Sequence, residues 1–277
     1  MELVWEAGME AYELVNYDMT LLQAIILGII QGLTEFLPVS SSGHLALGQY
    51  GFNIGNDMLF TLVVHIGTLV PVVVVFWKDV WALIRKPFQK MTYLLVVASL
   101  PIAVTGLLLR NVVGEAFGSL PALAAGFVVT GTILLISDRI KKTKKNTEDI
   151  TYFDALCIGA AQAVAIFPGI SRSGSTITAA LARGINRADA AKFVFLMSIP
   201  AILGALLVET IGLVRDYDVV MADINFANLA AGLFAAMVSG YAAVKFMMAA
   251  IKKAKLRYFA FYVLILAIAI GVYLLAF

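Results

Sequence analysis

Six apolar stretches of bilayer length constrain this chain more than any other feature. They cover residues 57–77, 91–109, 119–137, 189–214, 225–250 and 257–277. A helix needs about 20 such residues to cross the hydrocarbon core, and in lipid it satisfies its backbone polar groups internally. With 61% hydrophobic and 14% charged residues and a mean hydropathy of +0.93, the chain has too little charge to coat a soluble domain. A net charge of +2 argues against a nucleic-acid partner. The single cysteine, Cys157, rules out an internal disulfide, and its neighbours Leu156 and Ile158 suggest an inert buried thiol. His44 and His65 are the only histidines, so no Cys/His metal site is expected.

Four shorter apolar segments remain, at 20–37, 41–50, 152–167 and 173–185. They form two pairs, each a helix, a Pro/Gly/Ser break and a short second helix. The pairs match. Gly28 and Gln31 lead to Pro38 and to Ser40, Ser41, Ser42 and Gly43; Gly159 and Gln162 lead to Pro168 and to Ser171, Arg172, Ser173 and Gly174. Gly43 follows Gln31 at the spacing at which Gly174 follows Gln162. Matching five-segment halves indicate an internal duplication. Interrupted hydrophobic segments at the same place in each half point to a site near the membrane midplane.

Charge placement sets the topology. If each short pair is re-entrant, one membrane face carries Lys78, Arg85, Lys86 and Lys90, then Arg139, Lys141, Lys142, Lys144 and Lys145. It also carries Arg183, Arg187 and Lys192, and finally Lys252, Lys253, Lys255 and Arg257. The other face has Arg110 and Arg215, so sixteen positive residues stand against two. The positive-inside rule makes the first face cytoplasmic and puts both termini outside. Three crossings per half invert one half relative to the other. The expected fold is therefore an all-α polytopic membrane protein, an inverted-topology repeat with six transmembrane helices plus two re-entrant helical hairpins. Its parts are an N-terminal interfacial segment (1–18), a first repeat (19–138), a basic cytoplasmic linker (139–151) and a second repeat (152–277). Residues 1–18 hold Glu2, Glu6, Glu10, Glu13 and Asp18 without a single Lys or Arg, unlike the basic start of a secretory leader. Trp5, Tyr12 and Tyr17 suit a segment on the membrane surface.

The hairpins carry the candidate chemistry. A charge at a helix centre in lipid costs roughly 2.5–3.5 kcal/mol, so Glu35 and Arg172 pair, line a cavity or do chemistry. The plain alternative is a structural pair tying the halves together. Ser40, Ser41 and Ser42, like Ser171, Ser173 and Ser175, cluster at a helix start beyond what one N-cap needs. Free N–H groups at a helix start suit phosphate oxygens, and Arg172 adds a fork of donors matched to phosphate. Gly43 and Gly174 are expected to let backbone approach the anion. Ser41 and His44 share a helix face, as do Gln31 and Glu35, if each helix is regular there. His44 is then a proton shuttle or a nucleophile. Glu35 is expected to orient His44, or to hold a divalent cation, Mg²⁺ or Ca²⁺, through oxygen ligands with Gln31 in support, or to do both. Core packing is the first expectation for His65, with a supporting contact to the site as the alternative, and an interfacial position is expected for Glu209. Phe76, Trp77, Tyr258 and Phe259 are read as interface anchors.

The stretches QGLTEFLPVSSSGH (31–44) and FPGISRSGST (167–176) resemble the two signature motifs of bacterial undecaprenyl-diphosphate phosphatases of the bacitracin-resistance type. The similarity runs over nearly the whole chain after residue 18, including HIGTL at 65–69. It implies an enzyme of the bacterial inner membrane that hydrolyses undecaprenyl diphosphate to the monophosphate and inorganic phosphate. Such an enzyme recycles the lipid carrier of cell-wall synthesis, depends on a divalent cation and confers bacitracin resistance. By motif position the family's acidic pair falls on Gln31 and Glu35, its Ser/His elements on Ser41, Ser42 and His44, and its arginine on Arg172 between Ser171 and Ser173. Many members carry Glu where this chain has Gln31, which shifts weight onto Glu35. The nucleophile is open among Ser41 with His44 as base, His44 itself and water. The partners implied are a polyprenyl diphosphate lipid and membrane lipids, with self-association into a homo-oligomer left open. The rival class is a polyprenyl-phosphate transporter or flippase, since inverted repeats with paired hairpins are also a transporter architecture.

Overall fold

The computed structural model describes residues 19–55, 57–141, 143–215, 224–251 and 255–276. The expected interfacial segment 1–18, Lys142, Lys252 and Lys253 lie outside the described residues, as do the side chains of Glu209 and Arg215. Twelve α-helices are described and no strand among those residues. In chain order they are α1 (Leu21–Phe36), α2 (Ser41–Gly51), α3 (Met58–Val75), α4 (Trp77–Arg85), α5 (Lys90–Leu108) and α6 (Arg110–Phe117). Then come α7 (Leu120–Ser137), α8 (Tyr152–Val164), α9 (Arg172–Ala182), α10 (Arg187–Arg215), α11 (Phe226–Ala250) and α12 (Arg257–Ala276). Six of them, α3, α5, α7, α10, α11 and α12, are long and apolar enough to cross a membrane. The fold is that of an all-α polytopic membrane protein.

Local chemistry sets the helix ends. Thr20 opens α1 with a capping box to Gln23, and Thr151 opens α8 with one to Asp154. Asp57, Ser119 and Asn225 cap α3, α7 and α11. Pro38 excludes helical backbone from Leu37, so α1 stops at Phe36. The 173–185 segment ends early, at Ala182. Gly184 (φ +83°) turns the chain, and Ile185 pairs with Lys145 of the linker. Two short helices were absent from the sequence reading. One is α6. The other, α4, begins where the 57–77 stretch breaks at Phe76 (φ −103°, ψ 26°). Helix α4 is amphipathic: Trp77 stacks on Trp81 at 5.7 Å, Arg85 lies over Trp81, and Asp79 pairs with Lys192 at 2.7 Å.

The halves interleave. The first helix of each short pair packs on a long helix of the other half, α1 on α11 and α8 on α5, while α7 packs on α12 and α3 on α10. Small residues make the crossings close. A Cβ at Gly28 would collide with the Gly232 carbonyl, and one at Gly159 with the Ala98 carbonyl. A Cβ at Gly32 would strike the Ser239 hydroxyl and the Ala236 carbonyl. Gly32→Val is therefore expected to push α1 off α11 at a cost of about 3 kcal/mol or more. The check is a clearly lower unfolding temperature of the detergent-purified variant; an unchanged one would show that α11 yields instead.

The base of the second pair is clamped. Asp154 in the first turn of α8 is buried and takes Lys145 Nζ at 2.8 Å and Arg183 Nε at 2.7 Å. Burial alone would raise its carboxyl pKa. The bonds from Lys145, Arg183 and Thr151 outweigh burial and hold it well below the usual carboxylate range. This ties the linker and both legs of the second hairpin together. Cys157, one turn further along α8, is half-buried rather than fully buried.

Candidate active site

The two hairpin tips meet at Glu35. This carboxylate ends α1 with its side chain 3% exposed, and it has four neighbours. Arg172 Nη2 donates to Oε1 at 2.8 Å. Ser41 Oγ donates to Oε2 at 2.6 Å, and Gln31 Nε2 donates to the same oxygen at 3.0 Å. His65 Nε2 stands 4.0 Å from Oε2. A second link joins the tips: Ser173 Oγ donates to the Leu37 carbonyl at 3.0 Å. Beside the Glu35–Arg172 pair lies a small cavity bounded in part by Gln162, Ser173, Thr176 and Ser198.

Each tip is built by a serine cap. Ser40 Oγ accepts from Gly43 N at 3.3 Å and Ser171 Oγ accepts from Gly174 N at 3.1 Å. Ser42 lies 3.3 Å from Ser40, and Ser173 lies 3.2 Å from Ser171, hydroxyl to hydroxyl. The amides of Ser41 and Ser42 in one start, and of Arg172 and Ser173 in the other, make no hydrogen bond among the described residues. Unpaired N–H groups of this kind are what helix starts offer to anions, and Arg172 opens the second of the two starts. Gly43 and Gly174 also help to build the tips. Their N–H groups are taken by the caps, and their missing side chains are taken up by packing, Gly43 against Phe127 and Gly174 against Ser171 and Leu134.

Thr130 of α7 pins the second tip. Its hydroxyl donates to the Gly169 carbonyl at 2.7 Å and accepts from Ser171 N at 2.8 Å. Gly169 sits at φ +81°, which favours glycine. In the first tip the strained residue is Ser40, at φ 72°. A non-glycine residue there costs about 1–3 kcal/mol and clusters at functional sites. Its carbonyl faces His44 Nδ1 at 2.7 Å.

The helical spacing that put Ser41 and His44 on one face does not make them partners. Ser41 turns to Glu35. His44 bonds the Ser40 carbonyl and, through Nε2, the Tyr262 hydroxyl of α12 at 2.8 Å. For His65 the alternative to core packing holds: it faces Glu35, with Nδ1 bonded to the Thr61 carbonyl at 2.7 Å. Tyr262 and Thr130 were missed as parts of the site. Tyr262 is one turn deeper than the anchor Tyr258, and nothing in the sequence links it to a residue more than 200 positions away.

The described residues include no group of three or more His, Cys, Asp and Glu fit to hold a metal. Gln31 Oε1, however, is buried without a hydrogen-bond partner. A carbonyl oxygen left over beside a carboxylate fits a hard cation that completes its shell with other oxygens.

A family model for the bacitracin resistance protein BacA matches residues 24–269. The chain belongs to the BacA family. It is similar to the undecaprenyl-diphosphatase of Carboxydothermus hydrogenoformans, 47% identical over 90% of this chain and 95% of the relative. It is 43% identical to undecaprenyl-diphosphatase 3 of Bacillus cereus, over 88% and 94% of the two chains. It is 38% identical to the undecaprenyl-diphosphatase of Alkaliphilus metalliredigens, over 88% and 95%. The BacA match covers both hairpin tips, so every residue described around Glu35 lies inside it.

Proposed function

We propose that this protein is an undecaprenyl-diphosphate phosphatase, releasing undecaprenyl phosphate and inorganic phosphate, and that the reaction takes place where the two hairpin tips meet. Family membership and the names of the relatives support the substrate and reaction. The observation that carries the mechanism is the 2.6 Å hydrogen bond from Ser41 to Glu35, with Arg172 on the other oxygen of that carboxylate. A serine needs an adjacent base to become a nucleophile, and Glu35 is within reach of its proton.

In this reading Ser41 Oγ attacks the terminal phosphorus and Glu35 takes its proton. The bond to the bridging oxygen breaks, and undecaprenyl phosphate leaves. Water then cleaves the phosphoserine, inorganic phosphate departs, and the proton returns to Ser41. Arg172 and the free amides of Ser41, Ser42, Arg172 and Ser173 balance the charge spread over the phosphoryl oxygens. Ser40 and Ser171 act through their caps, which hold those amides in place. Glu35 and Gln31 Oε1 would hold a divalent cation, Mg²⁺ or Ca²⁺, together with substrate oxygens. When bound, that ion supplies further positive charge to the phosphates.

The enzyme is assigned to the bacterial plasma membrane, with both termini on the outer face and residues 139–151 cytoplasmic. The excess of Lys and Arg on one set of loops supports this. The test is phosphate release from undecaprenyl diphosphate by purified protein in detergent, where no gradient exists. Release supports the phosphatase. Movement of a polyprenyl phosphate across liposomes with no release in detergent would sink it in favour of a transporter.

A further inference from the structure

We infer that Tyr262, on the last helix, is a positioning residue of this site that acts through His44. The inference rests on the phosphatase reading and adds to it a proton-moving role for His44, which lies in the first turn of the helix that Ser41 begins. The ring is held at three points. A carbonyl only accepts, so Nδ1, 2.7 Å from the Ser40 carbonyl, carries a hydrogen. That leaves Nε2 as the nitrogen that gains and loses a proton, and it faces the Tyr262 hydroxyl at 2.8 Å. The Tyr262 ring also stacks on the imidazole, with centroids 5.5 Å apart and planes 18° apart, while Phe127 of α7 meets it edge-on at 5.4 Å.

A tyrosine hydroxyl both donates and accepts. It can donate to the neutral ring and accept from the protonated one, so it fits both states without moving the imidazole. Among the described contacts Tyr262 is the one titratable group against this ring; α7 contributes only the apolar Phe127. The strained backbone at Ser40 has a purpose in this arrangement, since it is the carbonyl of that residue that fixes the tautomer. Helices α7 and α12, packed on each other, thus hold both tips: Thr130 of α7 pins the second, and Tyr262 of α12 orients His44 in the first.

The experiment uses the full-length protein in detergent. Tyr262→Phe keeps the stacked ring and removes the hydroxyl. kcat for undecaprenyl diphosphate is expected to fall about tenfold with KM within about twofold, the pattern of a lost orienting contact rather than lost binding. His44→Ala should fall further, and Tyr262→Phe added to it should cost nothing more, because the two residues act in one chain. With only two histidines, ¹⁵N-histidine NMR resolves His44. Its Nε2 resonance should move in Tyr262→Phe while the hydrogen stays on Nδ1. Losses that multiply in the double variant, or an Nε2 resonance that does not move, overturn the inference. A wild-type rate of hydrolysis by His44→Ala overturns it as well, while the phosphatase reading, whose chemistry lies with Ser41, Glu35 and Arg172, stands.

Discussion

Arg172→Ala is expected to lower phosphate release roughly 10³-fold, the scale of removing an arginine that balances phosphoryl charge, and to weaken the fold as well. Glu35 lies buried, and among the described residues Arg172 is its one permanently charged cationic partner, at 2.8 Å. Taking away the arginine leaves an uncompensated carboxylate, a loss of about 3–5 kcal/mol. Two further variants separate the effects. Arg172→Lys keeps the charge and should hold the unfolding temperature near that of the wild type. Its point charge replaces a planar fork, so release should still fall about 10²-fold. Glu35→Gln combined with Arg172→Gln removes both charges; it should recover stability without recovering activity. Full phosphate release by Arg172→Lys would show that the fork geometry is irrelevant. Full release by Arg172→Ala would remove the site assignment altogether.

Ser41→Ala is expected to cost roughly 10³-fold or more in kcat, as loss of a nucleophile does, with KM and unfolding temperature nearly unchanged. The serine is half-buried and gives one hydrogen bond, so its truncation leaves no large cavity. Glu35 keeps Arg172 and Gln31 in that variant, so its charge stays compensated. Acid quench of the wild-type reaction with a substrate labelled in the terminal phosphate should trap label on the protein, and the alanine variant should trap none. Near-normal release by Ser41→Ala eliminates serine as the nucleophile and hands the attack to water or to His44.

The helical frame was legible because its cause is local. In lipid, a run of apolar residues must be a helix of bilayer length, so hydropathy alone marked out all ten long or paired segments to within a few residues. Helices α4 and α6 escaped because they are short and polar on one face, with no run for that criterion to find. Residue types at the site were legible for the same reason. Glu35, Arg172 and the serine clusters are costly in an apolar chain, and their repetition in two motifs marked the two tips.

The sequence by itself thus determined the class of protein, the two polar tips and the kinds of group they carry. It did not determine who bonds to whom. Helical spacing paired Ser41 with His44, and both do lie in α2, but a shared helix face does not make a bond: the backbone turn at Ser40 (φ 72°) brings α1 alongside, and each side chain finds a partner on another helix. Ser41 faces Glu35 across that turn. His44 instead meets a tyrosine on α12, His65 approaches Glu35 from α3, and Thr130 braces the second tip from α7. These partners lie on separate helices, brought together by the close α1–α11 and α7–α12 crossings. No short-range pattern encodes such a meeting, because it depends on how interleaved halves pack and not on any one segment.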